Sequence, residues 1–180
     1  YDLLTDDMIG LLNHLKIDST NILGFSDGGI IGLNMASKYP DRVIRVVASG
    51  ANYLLEGIDI VDFANNLMTP DNVKTNNFWI PFREKYNQLN PNPEKFDFHI
   101  QHAKKMWLTE IYIPEDRFKK IKQPVLLIFG DHDTVKLEHG LQMFRLLPEK
   151  TAQLCILPGG GHLVFLEEYE IINNLIVTTF

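Results

Sequence analysis

The spacing of apolar residues in the N-terminal part of the chain predicts helices that alternate with strands. One helical face carries Leu4, Met8, Leu11, Leu12 and Leu15. Thr5 is the expected N-cap of this helix. An apolar run at 20–25 predicts a strand, the following helix ends before Pro40, and a β-branched run at 42–50 predicts a second strand. Because strands that alternate with helices are joined by βαβ crossovers, this pattern predicts a parallel sheet.

The middle of the chain follows a different pattern. Residues 52–118 show helical periodicity without strand alternation, and the Pro-Asn-Pro sequence at 91–93 separates two helical stretches. We therefore interpret residues 52–118 as a helical insertion.

The strand–helix pattern resumes after the insertion. Apolar runs at 123–130 and 151–158 predict two further strands with an amphipathic helix between them, and residues 164–180 predict a closing helix. The sequence thus predicts an α/β core of residues 1–51 and 119–180, with a mostly parallel sheet and flanking helices.

Composition and charge narrow the classes of partner. A net charge of −6, without any long Lys/Arg cluster, argues against a nucleic-acid surface. No apolar run approaches the roughly 18 residues that span a bilayer, and the N-terminus lacks the pattern of a secretory signal. A single cysteine, Cys155, excludes an intramolecular disulfide and favours a reducing compartment. We expect a cytoplasmic protein that binds neither nucleic acid nor membrane.

One short stretch carries a chemical motif. Residues 24–28, Gly-Phe-Ser-Asp-Gly, match the pattern G-x-S-x-G where a predicted strand meets a predicted helix. A serine on so sharp a turn takes strained backbone angles, so Gly24 and Gly28 are expected to lack side chains in order to let the strand and helix close up. The turn would then raise the hydroxyl of Ser26 above the carboxyl end of the strand. The alternative is an ordinary glycine-rich turn in which Ser26 caps the helix.

A serine hydroxyl needs a neighbouring base, and the base needs an orienting carboxylate. Of the six histidines, His162 has the most suitable position, because it follows Leu-Pro-Gly-Gly-Gly at the end of the last predicted strand. The strand that ends at Gly130 is followed by two candidate carboxylates, Asp131 and Asp133. Catalytic groups of open α/β sheets collect at the carboxyl ends of strands. The order of Ser26, an aspartate and His162 is that of a triad around a nucleophile elbow.

A metal site is the alternative interpretation of the same loop. Asp131, His132 and Asp133, together with His139, offer carboxylate and imidazole ligands. However, alternating residues on a tight turn point in different directions, and the sequence contains no matching distal cluster. We therefore expect no metal and no other cofactor.

With these motifs the sequence resembles the α/β-hydrolase fold family over essentially its whole length. The resemblance is carried by GFSDGG (24–29), ASKYPDRVIRVVASG (36–50), QPVLLIFGDHDTV (123–135) and LPGGGH (157–162). The Ser-Asp-Gly-Gly elbow is most similar to the subgroup that contains the valacyclovir hydrolase-like esterases.

The resemblance adds several expectations. It selects Asp133, because the working aspartate of the family usually stands three residues after the glycine of this loop. It places a helical cap in residues 52–118 and makes the backbone N–H of Asp27 an oxyanion-hole donor. The family's early strands, with the loop that gives the other donor, would precede Tyr1. We therefore expect the sequence to be part of a longer protein, and without that part an oxyanion donor is missing and a sheet edge is left unpaired.

The residues and the resemblance together predict a serine hydrolase. Its partner would be a small acyl substrate, with a carboxylic ester as the default, cleaved through Ser26, His162 and Asp133 by way of an acyl-enzyme. The bond cleaved stays open between ester, thioester, lactone, amide and carbon–carbon, and a homo-oligomer is one option for the assembly. The carboxylate of Asp27 would either hold a cationic group of the substrate or have only a solvated or capping role. The alternative function is that of a non-catalytic ligand-binding protein, or of a truncated one that lacks a complete oxyanion hole.

Overall fold

The computed structural model describes residues 1–109 and 113–180. The end of the second helical stretch predicted in the insertion, at 110–112, lies outside the described residues. The described residues form one sheet of four parallel strands in the order β1-β2-β3-β4. These strands are β1 (Thr20–Phe25), β2 (Val43–Ser49), β3 (Val125–Gly130) and β4 (Ala152–Leu157). The parallel sheet predicted from the alternation of helices and strands is therefore observed.

The helices alternate with these strands except between β2 and β3, where several follow one another. They are α1 (Asp2–His14), α2 (Asp27–Lys38), α3 (Val61–Leu67), α4 (Pro70–Thr75), α5 (Ile80–Leu89), α6 (Phe96–Thr109), α7 (Glu115–Phe118), α8 (Leu137–Leu146), α9 (Val164–Glu167) and α10 (Tyr169–Thr179). The prediction of a single closing helix at 164–180 is wrong, because two helices occupy these residues. Glu168 has φ −106° and ψ 37°, outside the helical region, and it separates α9 from α10.

Helices cover both faces of the sheet. On one face α2 lies close to β1, because a Cβ added to Gly32 would stand only 2.8 Å from the side chain of Ile22. Helix α8 packs on the same face, with Gly140 against the ring of Phe129. On the other face α10 contributes Ile172 to a buried cluster that includes Val47, Leu126 and Ile128. Strand β3 is therefore enclosed on both sides, which explains why it is buried along its whole length.

A second compact unit spans Asp59–Ile111, and the sheet unit comprises Tyr1–Ile58 and Tyr112–Phe180. The second unit contains α3 to α6. Its buried core consists of Ala64, Met68, Val73, Trp79 and Phe96. The predicted domain limits at 52 and 118 stay a prediction, and the compact unit is shorter at both ends.

The first helix begins earlier than the sequence suggests. Helix α1 starts at Asp2, and Thr5 lies inside it, where its hydroxyl donates to the carbonyl of Tyr1 at 3.0 Å. The prediction that Thr5 caps the helix is therefore wrong. The physical reason is the buried Asn34 of α2, whose amide donates to the Thr5 hydroxyl at 3.1 Å. This partner from another helix makes a threonine inside the helix favourable.

The same packing rotates the buried face of α1. Its buried residues are Thr5, Ile9 and Leu12, whereas Met8 and Leu11 are 40% and 47% exposed. The predicted apolar face is therefore only partly correct. Met8 and Leu11 line a groove along β1, and within the described residues β1 is an edge strand of the sheet.

Across 1–109 and 113–180, no helix has both the length and the apolar character that crossing a bilayer requires. The cytoplasmic location stays a prediction.

A buried histidine joins the segment after β2 to helix α8. The ring of His139, only 6% exposed, stacks on Tyr53 with the ring centroids 4.5 Å apart, and its Nε2 accepts the N–H of Tyr53 at 3.2 Å. Gly57 lies so close that a Cβ there would stand 2.3 Å from the ring. Burial lowers the pKa of His139 to about 4, the charge of Glu56 opposes this shift and that of Lys136 adds to it.

We expect His139 to make the free energy of unfolding fall as the pH drops from about 6.5 to about 4. The unfolded chain would protonate this histidine near pH 6.5, whereas the folded protein resists protonation until about pH 4. The unfolded state therefore binds more protons in this window, and the fully developed loss is of the order of 3 kcal/mol.

Urea unfolding at about pH 7 and about pH 4.5 tests this, with His139→Gln as the control. Glutamine keeps a hydrogen-bond acceptor but does not titrate, so the wild type should lose about 2–3 kcal/mol more than the variant. An equal loss in both proteins would contradict the assignment.

Candidate active site

Ser26 occupies the sharp turn between β1 and α2. Its backbone has φ 52° and ψ −119°, the strained conformation expected for a nucleophile elbow. The turn is held by the N–H of Ser26, which donates to the carbonyl of Ser49 at 2.8 Å, and by its carbonyl, which accepts from Gly29 at 2.9 Å. Ser26 is the N-cap residue of α2, but its side chain makes no capping hydrogen bond. The alternative in which the hydroxyl serves as a helix cap is therefore not what the structure shows.

His162 connects Ser26 to Asp133. Its Nε2 lies 3.1 Å from the Oγ of Ser26, and its Nδ1 lies 2.7 Å from Oδ1 of Asp133. A carboxylate only accepts hydrogen bonds, so we assign the proton of the neutral ring to Nδ1, which leaves Nε2 to accept from the Ser26 hydroxyl. The structure thus brings the serine, the histidine and one of the two candidate aspartates into a single hydrogen-bonded row.

Asp133 is the carboxylate that reaches the imidazole. Its side chain is fully buried, and the same Oδ1 accepts the N–H of Val135 at 2.9 Å. Asp131 faces elsewhere, since its Oδ1 accepts from the N–H of Gly159 at 2.7 Å and contacts Nδ1 of His132 at 2.9 Å. Of the two candidate aspartates, Asp133 is thus the one that contacts the imidazole, and its catalytic role stays a prediction.

The four proposed metal ligands do not converge. His139 lies in α8 and faces Tyr53, Asp133 contacts His162, and Asp131 and His132 contact each other. Within the described parts of the chain, no group of three or more His, Cys, Asp or Glu side chains is arranged to hold a metal ion.

Asp27 is the first residue of α2, directly after the serine. The backbone N–H groups in the first turn of a helix point out of its N-terminal end, which suits a developing negative charge. Its role as an oxyanion donor stays a prediction. The carboxylate of Asp27 accepts a hydrogen bond from the hydroxyl of Tyr1 at 2.6 Å. This contact to the N-cap residue of α1 goes beyond the solvated role that we considered for the side chain.

Two residues beside the imidazole were not singled out by sequence. The ring centroids of Phe25 and His162 lie 5.0 Å apart. Gly50, with φ +60°, follows β2, and a Cβ there would stand 2.9 Å from Cε1 and 3.0 Å from Nδ1 of the His162 ring. Gly50 therefore leaves the space that the imidazole fills. In the sequence it marks only the end of a strand.

The glycines around Ser26 differ in their surroundings. A Cβ on Gly24 would stand 2.3 Å from the carbonyl oxygen of Gly28, and a Cβ on Gly29 would stand 2.9 Å from the Cβ of Ala51. On Gly28 it would meet no atom of the described residues within 4 Å beyond its chain neighbours and the adjacent backbone of its own helix. The described residues thus leave room for a side chain at Gly28, and the expectation that this position requires glycine stays a prediction. Gly24 packs against the backbone of Gly28, so the steric requirement falls on Gly24.

The chain is similar to several known hydrolases. A family model described as alpha/beta hydrolase fold matches residues 4–86. A 2-hydroxy-6-oxo-6-phenylhexa-2,4-dienoate hydrolase of Burkholderia cepacia is 27% identical over 189 positions, which cover 92% of this chain and 64% of that protein. Serine hydrolase BPHL of Mus musculus is 26% identical over 179 positions, which cover 94% of this chain and 57% of that protein.

Solved structures show the same architecture. A mutant of the meta-cleavage product hydrolase from Pseudomonas fluorescens IP01 superposes with a TM-score of 0.72 at 24% identity, covering 98% of this chain and 70% of that one. A serine hydrolase from Cycloclasticus zankles gives a TM-score of 0.74 at 18% identity, covering 97% of this chain and 68% of that one. The chain thus spans less than two thirds of the length of the two curated relatives named above.

Gly24→Ala and Gly28→Ala form a matched pair that tests the packing of the elbow. Gly24→Ala should lower the free energy of unfolding by at least about 2 kcal/mol, because the new methyl group would collide with the backbone of α2. Gly28→Ala should leave it unchanged or raise it by up to about 1 kcal/mol, because alanine favours the helix and meets open space. Urea unfolding of both variants measures the difference. Equal destabilisation would contradict the packing described.

Proposed function

Because the chain belongs to the α/β-hydrolase fold family, as its motifs predicted, we propose that it is a serine hydrolase that cleaves a small carboxylic ester. The observation that carries the proposal is the row of hydrogen bonds from Ser26 Oγ through His162 to Asp133, with distances of 3.1 and 2.7 Å. A serine becomes a useful nucleophile when a base is this close and is itself oriented by a third group.

In the proposed reaction, Ser26 attacks the substrate carbonyl while His162 Nε2 takes its proton. Asp133 keeps the ring in the tautomer with the proton on Nδ1 and stabilises the imidazolium that forms. His162 then protonates the leaving group, and water hydrolyses the acyl-enzyme by the same route in reverse. Each of these steps uses groups of the chain, the substrate and water.

The oxyanion would be stabilised by the backbone N–H of Asp27. Because this amide follows the nucleophile and lies at the N-terminal end of α2, it faces negative charge that develops near Ser26. One amide is a minimal oxyanion hole, and a single missing donor typically costs about 10²–10³ in rate. The proposal includes the activity and the substrate of the whole protein. Its proposed partner is a small acyl compound.

A second candidate substrate class comes from the relatives. Two of them are named as hydrolases of 2-hydroxy-6-oxo-dienoates, from Burkholderia cepacia and from Pseudomonas putida. The same serine, histidine and aspartate would then act on a ketone carbonyl of such an acid. The valacyclovir hydrolase-like subgroup is supported by the similarity to BPHL, and it favours the ester.

The proposed nucleophile can be tested by labelling the folded chain with a fluorophosphonate. Ser26→Ala should abolish labelling and lower the turnover of p-nitrophenyl acetate by more than about 10³-fold. Asp133→Asn should lower it by roughly 10³–10⁴-fold, because the amide NH₂ can donate to Nδ1 and so favour the wrong imidazole tautomer, and because the amide has no charge to stabilise the imidazolium. Ser19→Ala, at an exposed serine, is the control and should behave as the wild type. If the folded wild type is not labelled, the non-catalytic alternative replaces the proposal.

A substrate panel separates the two candidate classes. We expect kcat/KM for short-chain p-nitrophenyl esters to exceed that for 2-hydroxy-6-oxo-6-phenylhexa-2,4-dienoate by at least about tenfold, and the opposite order would favour the dienoate class. Aminoacyl esters and their N-acetylated forms test the side chain of Asp27. A preference for the free amine that Asp27→Asn removes would assign that carboxylate to the cation, because the substitution keeps the backbone N–H.

A further inference from the structure

Asp131 joins the loop after β3 to the turn after β4. Its Oδ1 accepts the backbone N–H of Gly159 at 2.7 Å. Two backbone hydrogen bonds join the same segments, from the N–H of Asp131 to the carbonyl of Leu157 at 3.2 Å and from the N–H of His132 to the carbonyl of Gly160 at 2.9 Å. The carboxylate is thus the side-chain member of a set of three contacts between the two segments.

The turn that receives this contact leads directly to His162. Residues 158–161 are Pro-Gly-Gly-Gly, and Gly159 has φ +73°, a conformation that glycine adopts without strain. Three glycines in a row have large conformational freedom, so external contacts are needed to hold them in one arrangement. A Cβ on Gly130 would stand 1.9 Å from the carbonyl oxygen of Gly160, which shows how closely the two backbones approach.

We propose that Asp131 is a positioning residue of the hydrolase, whose carboxylate fixes the turn at 158–161 and thereby places His162 between Ser26 and Asp133. The proposal rests on the function proposed above. No hydrogen bond joins Asp131 directly to Ser26 or His162, so Asp131 acts through the backbone of Gly159. A catalytic group displaced by about 1 Å can lose of the order of 10² in rate.

The geometry indicates that Asp131 acts through its hydrogen bond to Gly159 and not through its negative charge. The side chain of Asp131 is 36% exposed, so solvent weakens its charge at a distance. A charged or polar oxygen that accepts from Gly159 keeps the contact, since both a carboxylate and an amide oxygen can accept from the N–H. His132 touches the same oxygen, but its ring is 76% exposed. This residue therefore offers a control at the same loop.

Three variants separate these effects. Asp131→Ala removes the acceptor and should lower kcat by about 10–100-fold with KM within about twofold, because the residue does not touch the substrate. Asp131→Asn retains an acceptor oxygen and should restore kcat to within about threefold of the wild type. His132→Ala should leave both constants unchanged. The second-order rate of labelling by a fluorophosphonate should follow kcat in each variant.

Hydrogen exchange provides a readout that does not need activity. In the ¹⁵N-labelled wild type, the amide of Gly159 should exchange at least about tenfold more slowly than in an unstructured peptide, and Asp131→Ala should remove that protection while Asp131→Asn retains it. This measurement on the wild type also covers the case in which Asp131→Ala fails to fold.

The outcomes distinguish the positioning role from the function. An active wild type whose Asp131→Ala variant keeps full kcat overturns the positioning role alone. Equal losses in Asp131→Ala and Asp131→Asn overturn the hydrogen-bond argument in favour of charge. A wild type that is not labelled overturns the proposed function, and the exchange of Gly159 then decides whether the carboxylate holds the turn.

Discussion

The parallel pairing of the four strands is the constraint on which the candidate site depends. Parallel strands point their carboxyl ends to the same edge, so the segments that follow β1, β3 and β4 emerge together. The register sets Phe25 beside Ser49 and Gly130 beside Leu157, so the two strands of each pair end at the same level, while Ser49 lies beside Ile128 near the end of β3. Ser26 and His162 are separated by 136 residues in sequence but by 3.1 Å between their reacting atoms. Short side chains suffice at this edge because the backbone has already brought the segments together.

Glycine at this edge provides space as well as flexibility. At Gly24 a side chain would collide with the start of α2, at Gly50 with the imidazole of His162, and at Gly130 with the carbonyl of Gly160. Each position therefore allows two segments to approach more closely than side chains permit. The approach also brings backbone donors and acceptors within hydrogen-bond distance, as in the contact from His132 N–H to the Gly160 carbonyl. The strain of Ser26, at φ 52°, is maintained by these surroundings.

The sequence predicted the parallel sheet and the strand-end positions of Ser26 and His162, because periodicity and glycine-rich strand ends are local signals. Local patterns did not decide between Asp131 and Asp133, since neighbouring residues on a tight turn differ in direction and not in type. They also misplaced the buried face of α1, where Thr5 is buried on account of a partner 29 residues away. Such partners are properties of the tertiary packing. Similarly, nothing in the sequence shows that His139 is buried against Tyr53.

The two aspartates of the loop after β3 differ in burial and therefore in the interaction that each can support. Asp133 has a fully buried side chain, so its interaction with a protonated His162 is weakly screened, and the N–H of Val135 keeps it turned inward. The side chain of Asp131 is 36% exposed, so solvent screens its charge. Its contribution is instead the hydrogen bond that orients the backbone at Gly159. If the positions were exchanged, an exposed carboxylate would stabilise the imidazolium poorly, and a buried one would have only an amide as partner. The orientation of the loop therefore determines which residue supports the charge and which supports the backbone.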